Sequence, residues 1–355
     1  MHSGKLLIIG NYGAGNLGDD AILGGILTDL KRVDWKGEVF VTCGGQKTSS
    51  DIYKQVKRVP FMPSGLKSHF ARTQVKTAHQ AFESVDFAIL GGGGLFTDSE
   101  SMRAPYIWYK QAKALIRAKK PYLIYGQSIG PLKHMWSRYL AKKVFSRAKA
   151  ILVRDQESLH MLSQWGLKGT LGTDPALSWL TEELQKRPKK EDVLLISLRH
   201  WPKIGLKEWK AWSKPINEYC KKAKLKPIAL SMEPSSNREK NELTQLGWEF
   251  YAPRSAREAL FAFQKAREAL VMRLHAGIFS LIAKTPFTTL AYSQKVTSFF
   301  ESLILKTPIQ TLTPQEWTPE DLRGALKQNK TAPSFNVEEA IQKNHLFLME
   351  HLRGL

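Results

Sequence analysis

The fold is decided by residues 5–30, which read KLLIIGNYGAGNLGDDAILGGILTDL. The apolar run at 5–9 predicts a buried strand, the glycine-rich turn after it ends that strand, and residues 19–30 have a helical pattern. A strand, a turn and a helix in this order begin a βαβ unit, in which the helix crosses over to a parallel strand. Residues 5–30 therefore predict an α/β fold.

The same arrangement of a short apolar run and a turn recurs through the first half of the chain. A loop follows the carboxyl end of each further predicted strand, and these strands lie at 38–42, 86–90, 122–125 and 150–153. Open parallel sheets bind ligands at that edge, so we expect the loops to collect around one crevice.

The length and the charge pattern predict two domains. A chain of 355 residues exceeds the usual size of one domain, and residues 183–192 have the charged, proline-containing composition of a linker. A second series of strands is predicted at 193–198, 227–231, 269–272 and 287–290. We therefore expect an N-terminal Rossmann-like domain at 1–182, a C-terminal one at 193–335, a helix within 336–355, and a cleft between two doubly wound domains.

The chain is strongly basic, with 53 Lys and Arg against 32 Asp and Glu, a net charge of +21. This charge favours an anionic partner, and nucleic acid is the weakest candidate because no nucleic-acid-binding signature is present. A peripheral membrane contact is indicated by the basic stretch 47–76 and by Trp201, Trp209 and Trp212, which alternate with lysines. A solvated basic face with core tryptophans is the simpler explanation of both features.

Other features of the composition favour a soluble, cytoplasmic protein. The apolar runs have the length of strands rather than of membrane spans, and residues 1–10 lack the apolar segment of a signal peptide. Cys43 and Cys220 are far apart in sequence, so neither a disulfide framework nor a zinc site is expected.

Residues 13–18 fit the pattern G-x-G-x-x-G of dinucleotide-binding turns. Asp19 and Asp20 would repel a pyrophosphate at the start of the helix, and the second predicted strand does not end at an acidic residue. The turn is then either structural, capped by Asp19, or it presents Asn16, Asp19 or backbone amides to a sugar hydroxyl.

A series of loop motifs has the order and spacing of one family. The motifs lie at 11–19, 91–98, 127–131, 154–158, 174–175, 197–201, 273–276 and 292–299. Over about residues 6–300 the sequence thus resembles the polysaccharide pyruvyl transferases. The resemblance is closest to the members that modify secondary cell-wall polysaccharides for surface-layer anchoring.

This resemblance implies two Rossmann-like domains arranged as in glycosyltransferases of the B fold. It also implies an enzyme that transfers a pyruvyl group from phosphoenolpyruvate to a sugar of a cell-wall or exopolysaccharide precursor, forming a ketal and releasing phosphate. Phosphoenolpyruvate is the co-substrate, and no other cofactor is expected. The implied acceptor is a polyprenyl-diphosphate-linked sugar at the inner face of the cytoplasmic membrane.

Arg273 and His275 are expected at the active centre. The donor carries a carboxylate and a phosphate, which arginine binds bidentately, and Arg273 lies between a predicted strand and a helix N-terminus that favours anions. An ion pair with a carboxylate is the alternative for Arg273. His275 suits the proton transfers of ketal formation near neutral pH, and Leu274 belongs to the same donor-binding motif.

Further residues are predicted on both substrates. Arg199, Arg154 and Lys295 are expected near the donor, although Asp155 beside Arg154 favours a structural ion pair there. The expected acceptor-binding residues are Asn16, Asp19, Asp98, Ser101, Arg103 and Gln127, with helix capping as the alternative for the two aspartates. No histidine or cysteine has a partner at metal-ligand spacing, so we expect a metal-independent reaction.

Two other functions stay open. The same scaffold serves nucleotide-sugar glycosyltransferases, which release a nucleoside diphosphate instead of phosphate. The other alternative is a non-catalytic protein that binds anions or a membrane surface, and loss of His275 would leave such binding intact.

Overall fold

The computed structural model describes residues 4–44, 51–65, 72–99, 101–184, 188–201, 204–328 and 331–352, without the side chains at 72 and 315. The chain divides into two compact units. The first unit comprises Met1–Ala14, Asp19–Trp179 and Val337–Leu355, and the second comprises Gly15–Gly18 and Leu180–Asn336. Each unit contains its own parallel sheet.

The sheet of the first unit has the strand order β3-β2-β1-β4-β6-β7-β8, and β5 also pairs with β6. The order reverses between β1 and β4, as in a doubly wound sheet. The strands are β1 Lys5–Ile9, β2 Glu38–Thr42, β3 Lys57–Val59, β4 Phe87–Leu90, β5 Gly93–Phe96, β6 Tyr122–Ile129, β7 Ala150–Val153 and β8 Thr170–Leu171.

Helices cover both faces of this sheet, because its central strands are apolar on both sides. All four residues from Leu6 to Ile9 are fully buried. The helices are α1 Leu17–Arg32, α2 Arg72–Ser84, α3 Ala104–Arg117, α4 Met135–Phe145, α5 Gln156–Gln164 and α6 Ala176–Glu182, within which the chain passes to the second unit.

The second unit repeats the design, with the strand order β11-β10-β9-β12-β13-β14 and a reversal between β9 and β12. Its strands are β9 Glu191–Ser197, β10 Lys226–Leu230, β11 Glu249–Tyr251, β12 Ala266–Val271, β13 Phe287–Leu290 and β14 Gln310–Leu312. Its helices are α7 Leu206–Ala223, α8 Asn237–Thr244, α9 Ala256–Lys265, α10 Leu274–Ile282, α11 Gln294–Ser302 and α12 Pro319–Gln328.

The last helix, α13 Val337–Leu352, belongs to the first unit. The buried Asn344 amide joins it to the backbone of Thr173, accepting from the N–H at 2.9 Å and donating to the carbonyl oxygen at 3.2 Å. His345 lies 2.8 Å from a carboxylate oxygen of the buried Asp29. These contacts hold α13 on the first unit.

The tryptophans of α7 belong to the core and not to a membrane surface, which corrects one prediction. Trp209 and Trp212 are 0% and 4% exposed, because they share the apolar face of the helix with Ile216 and Cys220. The lysines at 207, 210 and 214 are exposed on the other face. For α7, the structure shows the simpler explanation, a solvated basic face over core tryptophans.

Of the basic stretch 47–76, the structure describes residues 51–65 and 72–76. Lys47 and Lys67 lie outside the described residues, as does Lys203 near Trp201. Of the described lysines, Lys54 pairs with Asp51 at 2.7 Å and Lys57 pairs with Glu38.

The predicted α/β fold class is confirmed: both sheets are parallel and doubly wound, and most predicted strands match within a few residues. Among the described residues, no helix combines the length and the apolar composition needed to cross a membrane.

Candidate active site

Four segments of the second unit follow strands at the carboxyl edge of its sheet. Arg199 comes after β9, Glu233 after β10, Arg273 after β12 and Tyr292 after β13. Because the strand order reverses between β9 and β12, these segments border the crevice in which such sheets bind ligands. The candidate site is therefore at this edge.

The guanidinium of Arg273 lies between two carboxylates. Its Nη1 donates to Glu233 Oε1 at 2.8 Å, and its Nη2 donates to Glu239 Oε1. The side chains of Arg273 and Glu239 are 9% and 3% exposed, whereas that of Glu233 is 36% exposed. The buried Nε of Arg273 has no hydrogen-bond partner among the residues described. Arg273 thus forms an ion pair and keeps one unused donor.

The opposite charges of this cluster stabilise one another in their ionised forms. Burial lowers the pKa of Arg273, but Glu239 and Glu233 outweigh burial and raise that pKa. Burial raises the pKa of Glu233, but the charges of Arg273 and Arg199 outweigh it and hold the pKa below its ordinary value. Near neutral pH, Arg273 is therefore positive and Glu233 negative.

Glu239 anchors the cluster from the first turn of α8. Its N–H donates to the N-cap oxygen of Ser236 at 3.3 Å, and its Oε2 accepts from the Ser231 hydroxyl at 2.5 Å. Sequence analysis missed Glu233 and Glu239. The spacing of Ser236 and Glu239 is that of a capping box, which predicts the start of α8 but not an arginine partner distant in sequence.

His275 is half-buried in the first turn of α10, against the backbone of Gly18. A Cβ atom added to Gly18 would lie 2.3 Å from His275 Nδ1. The N–H of Leu17 donates to the Met232 carbonyl oxygen at 2.9 Å, and Asn16 Nδ2 donates to Glu233 Oε1 at 3.4 Å. The turn therefore packs beside His275 and brings Asn16 to the Arg273 cluster.

Arg199 lies against two aromatic rings. Its guanidinium carbon is 5.2 Å from the Trp201 ring centroid and 5.1 Å from that of Tyr292, and its Nη1 donates to the Tyr292 hydroxyl at 3.2 Å. Contacts of this kind position a guanidinium without neutralising its charge. A pocket of about 370 Å³ lies beside the two rings, with Trp212 and Trp317 in its wall.

Two further predicted donor residues lie at helix starts of the same unit. Leu274 is the first residue of α10 and is buried. Lys295 is in the first turn of α11 and is half-buried. Both helices begin at the carboxyl edge that carries Arg273, because each follows a strand of the parallel sheet.

Arg154, also predicted near the donor, is a buried residue of the first unit. It is 3% exposed, its Nη1 donates to Asp174, and its Nε donates to the Ser128 hydroxyl at 2.7 Å. Ser128 in turn donates to Asp155 at 2.5 Å. Arg154 is thus part of a buried network, which is the structural alternative that its sequence context favours.

Asp98 and Gln127, both predicted near the acceptor, form hydrogen bonds with backbone groups of the first unit. Asp98 is 6% exposed and accepts from the N–H groups of Lys133 and His134 at 2.8 and 2.9 Å. Burial raises the pKa of Asp98, but these N–H groups outweigh burial and hold it below its ordinary value. Gln127 is fully buried, with its Nε2 donating to the Gly91 carbonyl oxygen. Neither side chain is placed on an accessible surface.

Asp19 lies in the first turn of α1, where Asn11 Nδ2 donates to its Oδ2 at 2.9 Å. The next residue, Asp20, is 5% exposed and accepts from the Tyr53 hydroxyl at 2.6 Å. Ser101 and Arg103 are exposed before α3, and the Arg103 N–H donates to the Ser101 hydroxyl at 3.2 Å. Of the predicted acceptor residues in this unit, Ser101 and Arg103 are exposed and Asp19 is half-buried.

No group of three or more His, Cys, Asp or Glu side chains in the described ranges is arranged to hold a metal ion. The metal-independent reaction stays a prediction.

A sequence model of the family described as "Polysaccharide pyruvyl transferase" matches residues 16–294, which include Asn16, Arg199, Arg273 and His275. The chain belongs to the polysaccharide pyruvyl transferase family. The match covers most of both units and confirms the membership of an enzyme family that the loop motifs predict.

A curated relative of this pyruvyl transferase family member is the amylovoran biosynthesis protein AmsJ of Erwinia amylovora. The two are 28% identical over 193 residues, which are 46% of this chain and 45% of AmsJ. The match thus spans less than half the length of that relative.

Solved structures similar to this family member are UDP-GlcNAc 2-epimerases. The enzyme from Neisseria meningitidis, bound to UDP-GlcNAc, has a TM-score of 0.67 at 12% identity, with 98% of this chain and 99% of that one covered. The enzyme from Methanocaldococcus jannaschii has a TM-score of 0.63 at 12% identity, covering 97% and 99%. At such identities the likeness shows the fold alone, and it agrees with the predicted glycosyltransferase-B-like class.

Proposed function

We propose that this chain transfers a pyruvyl group from phosphoenolpyruvate to two hydroxyls of one sugar in a cell-wall or exopolysaccharide precursor. The products are a pyruvate ketal and inorganic phosphate. The observation that carries the proposal is the Arg273 cluster, with His275 two residues further on at the start of α10, in a chain of the pyruvyl transferase family.

The donor binds at the carboxyl edge of the second unit. Arg273 and Arg199 supply planar cations for its carboxylate and phosphate, and the first turn of α10 supplies backbone amides. Glu239 is buried, whereas the Glu233 side chain is 36% exposed. Glu233 is therefore the carboxylate that the donor displaces from the Arg273 guanidinium.

The chemistry needs a group that can deliver a proton and remove one. A proton is added to the methylene carbon of the enol phosphate, and the first sugar hydroxyl then forms a bond to the adjacent carbon. The carbon–oxygen bond to phosphate breaks, and the second hydroxyl forms a second bond to that carbon. The two hydroxyl protons balance the one gained by carbon and the one that leaves with phosphate. We assign these proton transfers to His275. Proton transfer by a positioned side chain typically raises the rate by about 100- to 10,000-fold.

The proposal also assigns the other substrate-binding residues and the acceptor. Leu274 and Lys295 complete the donor side, and Asn16, Asp19, Ser101 and Arg103 are proposed on the acceptor side. The acceptor is a polyprenyl-diphosphate-linked sugar on the cytoplasmic side of the membrane. The reaction uses no metal and no cofactor other than its co-substrate, phosphoenolpyruvate.

The direct test incubates the purified chain with phosphoenolpyruvate and polyprenyl-diphosphate-linked disaccharides. We expect acceptor-dependent phosphate release and a glycan mass increased by phosphoenolpyruvic acid less phosphoric acid. Release of a nucleoside diphosphate from a nucleotide sugar would instead support a glycosyltransferase. No turnover with any acceptor, together with binding that His275→Ala leaves intact, would support a non-catalytic binder.

Matched variants assign the residues. His275→Gln should lower kcat by about 100-fold or more, whereas His160→Gln, at an exposed histidine of α5, should have no effect. Arg273→Lys should raise the KM for phosphoenolpyruvate because a lysine cannot bind bidentately. Arg257→Lys, in a surface ion pair with Glu183, is its control.

A further inference from the structure

Five large apolar side chains of the first unit are exposed around the starts of α3 and α4. Their exposed fractions are 52% for Met102, 40% for Tyr106, 78% for Met135, 39% for Trp136 and 62% for Tyr139. They are five of the nine large apolar side chains exposed in the described part of the chain. We call these five residues the edge patch.

The edge patch is continuous because the segments before the two helices are joined. Asp98, in the loop before α3, accepts from the backbone N–H groups of Lys133 and His134, just before α4. Further along, the two helices pack against each other, and the Lys143 ammonium lies 5.9 Å from the Tyr109 ring and 5.6 Å from the Tyr139 ring. One surface therefore carries side chains of both helix starts.

The place of this surface in the fold follows from the topology. Helix α3 begins after β5 and α4 begins after β6, so both start at the carboxyl edge of the first unit's parallel sheet. Ligands of doubly wound sheets bind at that edge. A partner that binds the edge patch therefore lies beside the ligand-binding edge of this unit.

The part of the sequence that carries the edge patch is basic. Between Ser101 and Arg154 the sequence has 13 Lys and Arg and no Asp or Glu. Arg103, Lys133, Arg138 and Lys142 are exposed near the apolar side chains. None of these four has an ion-pair partner within the residues that the structure describes.

Exposed Met, Trp and Tyr side chains, together with nearby cations that have no ion-pair partner among the described residues, are the composition of a membrane-contacting surface. Aromatic rings suit the level of the lipid headgroups, apolar side chains enter the acyl boundary, and lysines and arginines attract anionic lipids. A single apolar residue on a surface needs no explanation, but a contiguous group marks an interaction site.

We propose that the edge patch binds the surface of an anionic lipid bilayer. Met135, Trp136 and Tyr139 enter the headgroup region, and the cations around them hold anionic headgroups. The exposed lysines of α7 are not the membrane contact, since the apolar side chains of that helix are buried in the core. If the acceptor is lipid-linked, as in the proposed function, this contact presents it at the carboxyl edge of the first unit.

The test is co-sedimentation of the full chain with vesicles of phosphatidylcholine alone or mixed equally with phosphatidylglycerol. Neither phosphoenolpyruvate nor a glycan is present, so the result does not depend on the proposed reaction. We expect binding to the anionic vesicles that falls as salt is raised. The variant Met135→Ser/Trp136→Ser/Tyr139→Ser should bind at least about 10-fold more weakly, and its far-UV spectrum should be unchanged because the three side chains are exposed.

Two matched controls locate the contact. Ile304→Ser/Leu346→Ser removes exposed apolar residues elsewhere, 82% and 57% exposed, and should bind as the unmodified chain does. Replacing Arg138, Lys142 and Lys143 by Gln should weaken vesicle binding about 100-fold. Replacing Lys207, Lys210 and Lys214 on α7 by Gln should leave most of the vesicle binding intact.

Three results would overturn the proposal. The first is equal vesicle binding by the edge-patch serine variant and the unmodified chain. The second is a loss of binding in the α7 or the Ile304 and Leu346 controls as large as in the patch variants. The third is that the patch variants abolish self-association in sedimentation velocity, or binding to single-stranded RNA, while vesicle binding is absent throughout.

Discussion

The imidazole of His275 lies against the backbone of Gly18, so closely that a Cβ atom on Gly18 would be 2.3 Å from its Nδ1. Separations under about 3 Å are not found for real Cβ atoms. The position of the proposed acid–base group therefore depends on the absence of a side chain in the glycine-rich turn near the start of the chain. The third glycine of G-x-G-x-x-G is needed here for packing against an imidazole.

Gly18→Ala is predicted to displace His275 and to lower kcat by about 100-fold, since proton transfer depends on hydrogen-bond reach. Steady-state kinetics with phosphoenolpyruvate and acceptor measure the effect. Gly324→Ala is the matched control: a Cβ there meets nothing within 4 Å, and alanine in the interior of α12 should only add stability. Full activity of Gly18→Ala would mean that His275 is not the group that transfers protons.

The two glutamates on Arg273 should respond differently to the same substitution. Glu233→Gln is predicted to lower the KM for phosphoenolpyruvate severalfold, because it removes the partly exposed carboxylate that competes with the donor for Arg273. Glu239→Gln leaves a buried guanidinium with one carboxylate fewer and should lower the free energy of unfolding by about 3 kcal/mol. Kinetics and urea denaturation of both variants separate the two effects. A raised KM in Glu233→Gln would show that Glu233 assists donor binding instead.

Arg154→Leu is predicted to act on stability. It leaves Asp174 buried without its cation, which should lower the free energy of unfolding by about 3 kcal/mol or more. The double variant with Asp174→Asn should regain part of this loss, because no buried charge is then uncompensated. At a temperature where the variants are folded, the KM for phosphoenolpyruvate should be unchanged. An increase in that KM without loss of stability would support the donor-binding role predicted from the sequence.

The Asp20 carboxyl should make stability depend on pH. Burial raises its pKa from 3.8 in the unfolded chain to about 6, the Tyr53 hydrogen bond lowers it and Asp19 raises it. Because the folded chain retains this proton to a higher pH, the protonated carboxyl stabilises the folded state. This contribution to the free energy of unfolding is fully present below about pH 4, is lost as the pH rises through about 6, and does not change further above that pH.

Urea denaturation between pH 4 and pH 8 is the measurement for Asp20. Asp20→Asn cannot ionise and should lack this fall, so its stability relative to the unmodified chain should rise by up to about 3 kcal/mol across that range. Glu83→Gln, at an exposed position of α2, should follow the unmodified chain. A parallel pH dependence of Asp20→Asn and the unmodified chain would contradict the assignment.

The sequence predicts the elements of the fold because their signals are local. The apolar run of β1 and the pattern of α1 lie within residues 5–30, and β7 and α13 have similarly contiguous patterns. For the predicted strands the errors are of a few residues at the ends, as at β6, which continues past the glycine at 126 to Ile129 through buried positions. The five short strands β3, β5, β8, β11 and β14 are not predicted, because two to four residues carry too little periodicity to be recognised.

The site could be predicted only in part. Arg273 and His275 are found from their motif and their place between a strand and a helix. Glu233 and Glu239 are missed because their partner is Arg273, distant in sequence and brought near only when β10 and β12 take their places on either side of β9. Asp98, Gln127 and Arg154 lie in motifs of the family, but their side chains are used inside the first unit.

The amino-acid sequence by itself determined the α/β class, the order of the strands along the chain and the family, since periodicity, glycine-rich turns and motif spacing are properties of contiguous residues. Only the tertiary structure decided which charges are paired, which tryptophans are buried and which apolar side chains stay exposed at the starts of α3 and α4. These outcomes depend on contacts between residues far apart in the chain. Whether a charge is paired or a ring is exposed is settled only when the sheets have formed and the helices have packed on them.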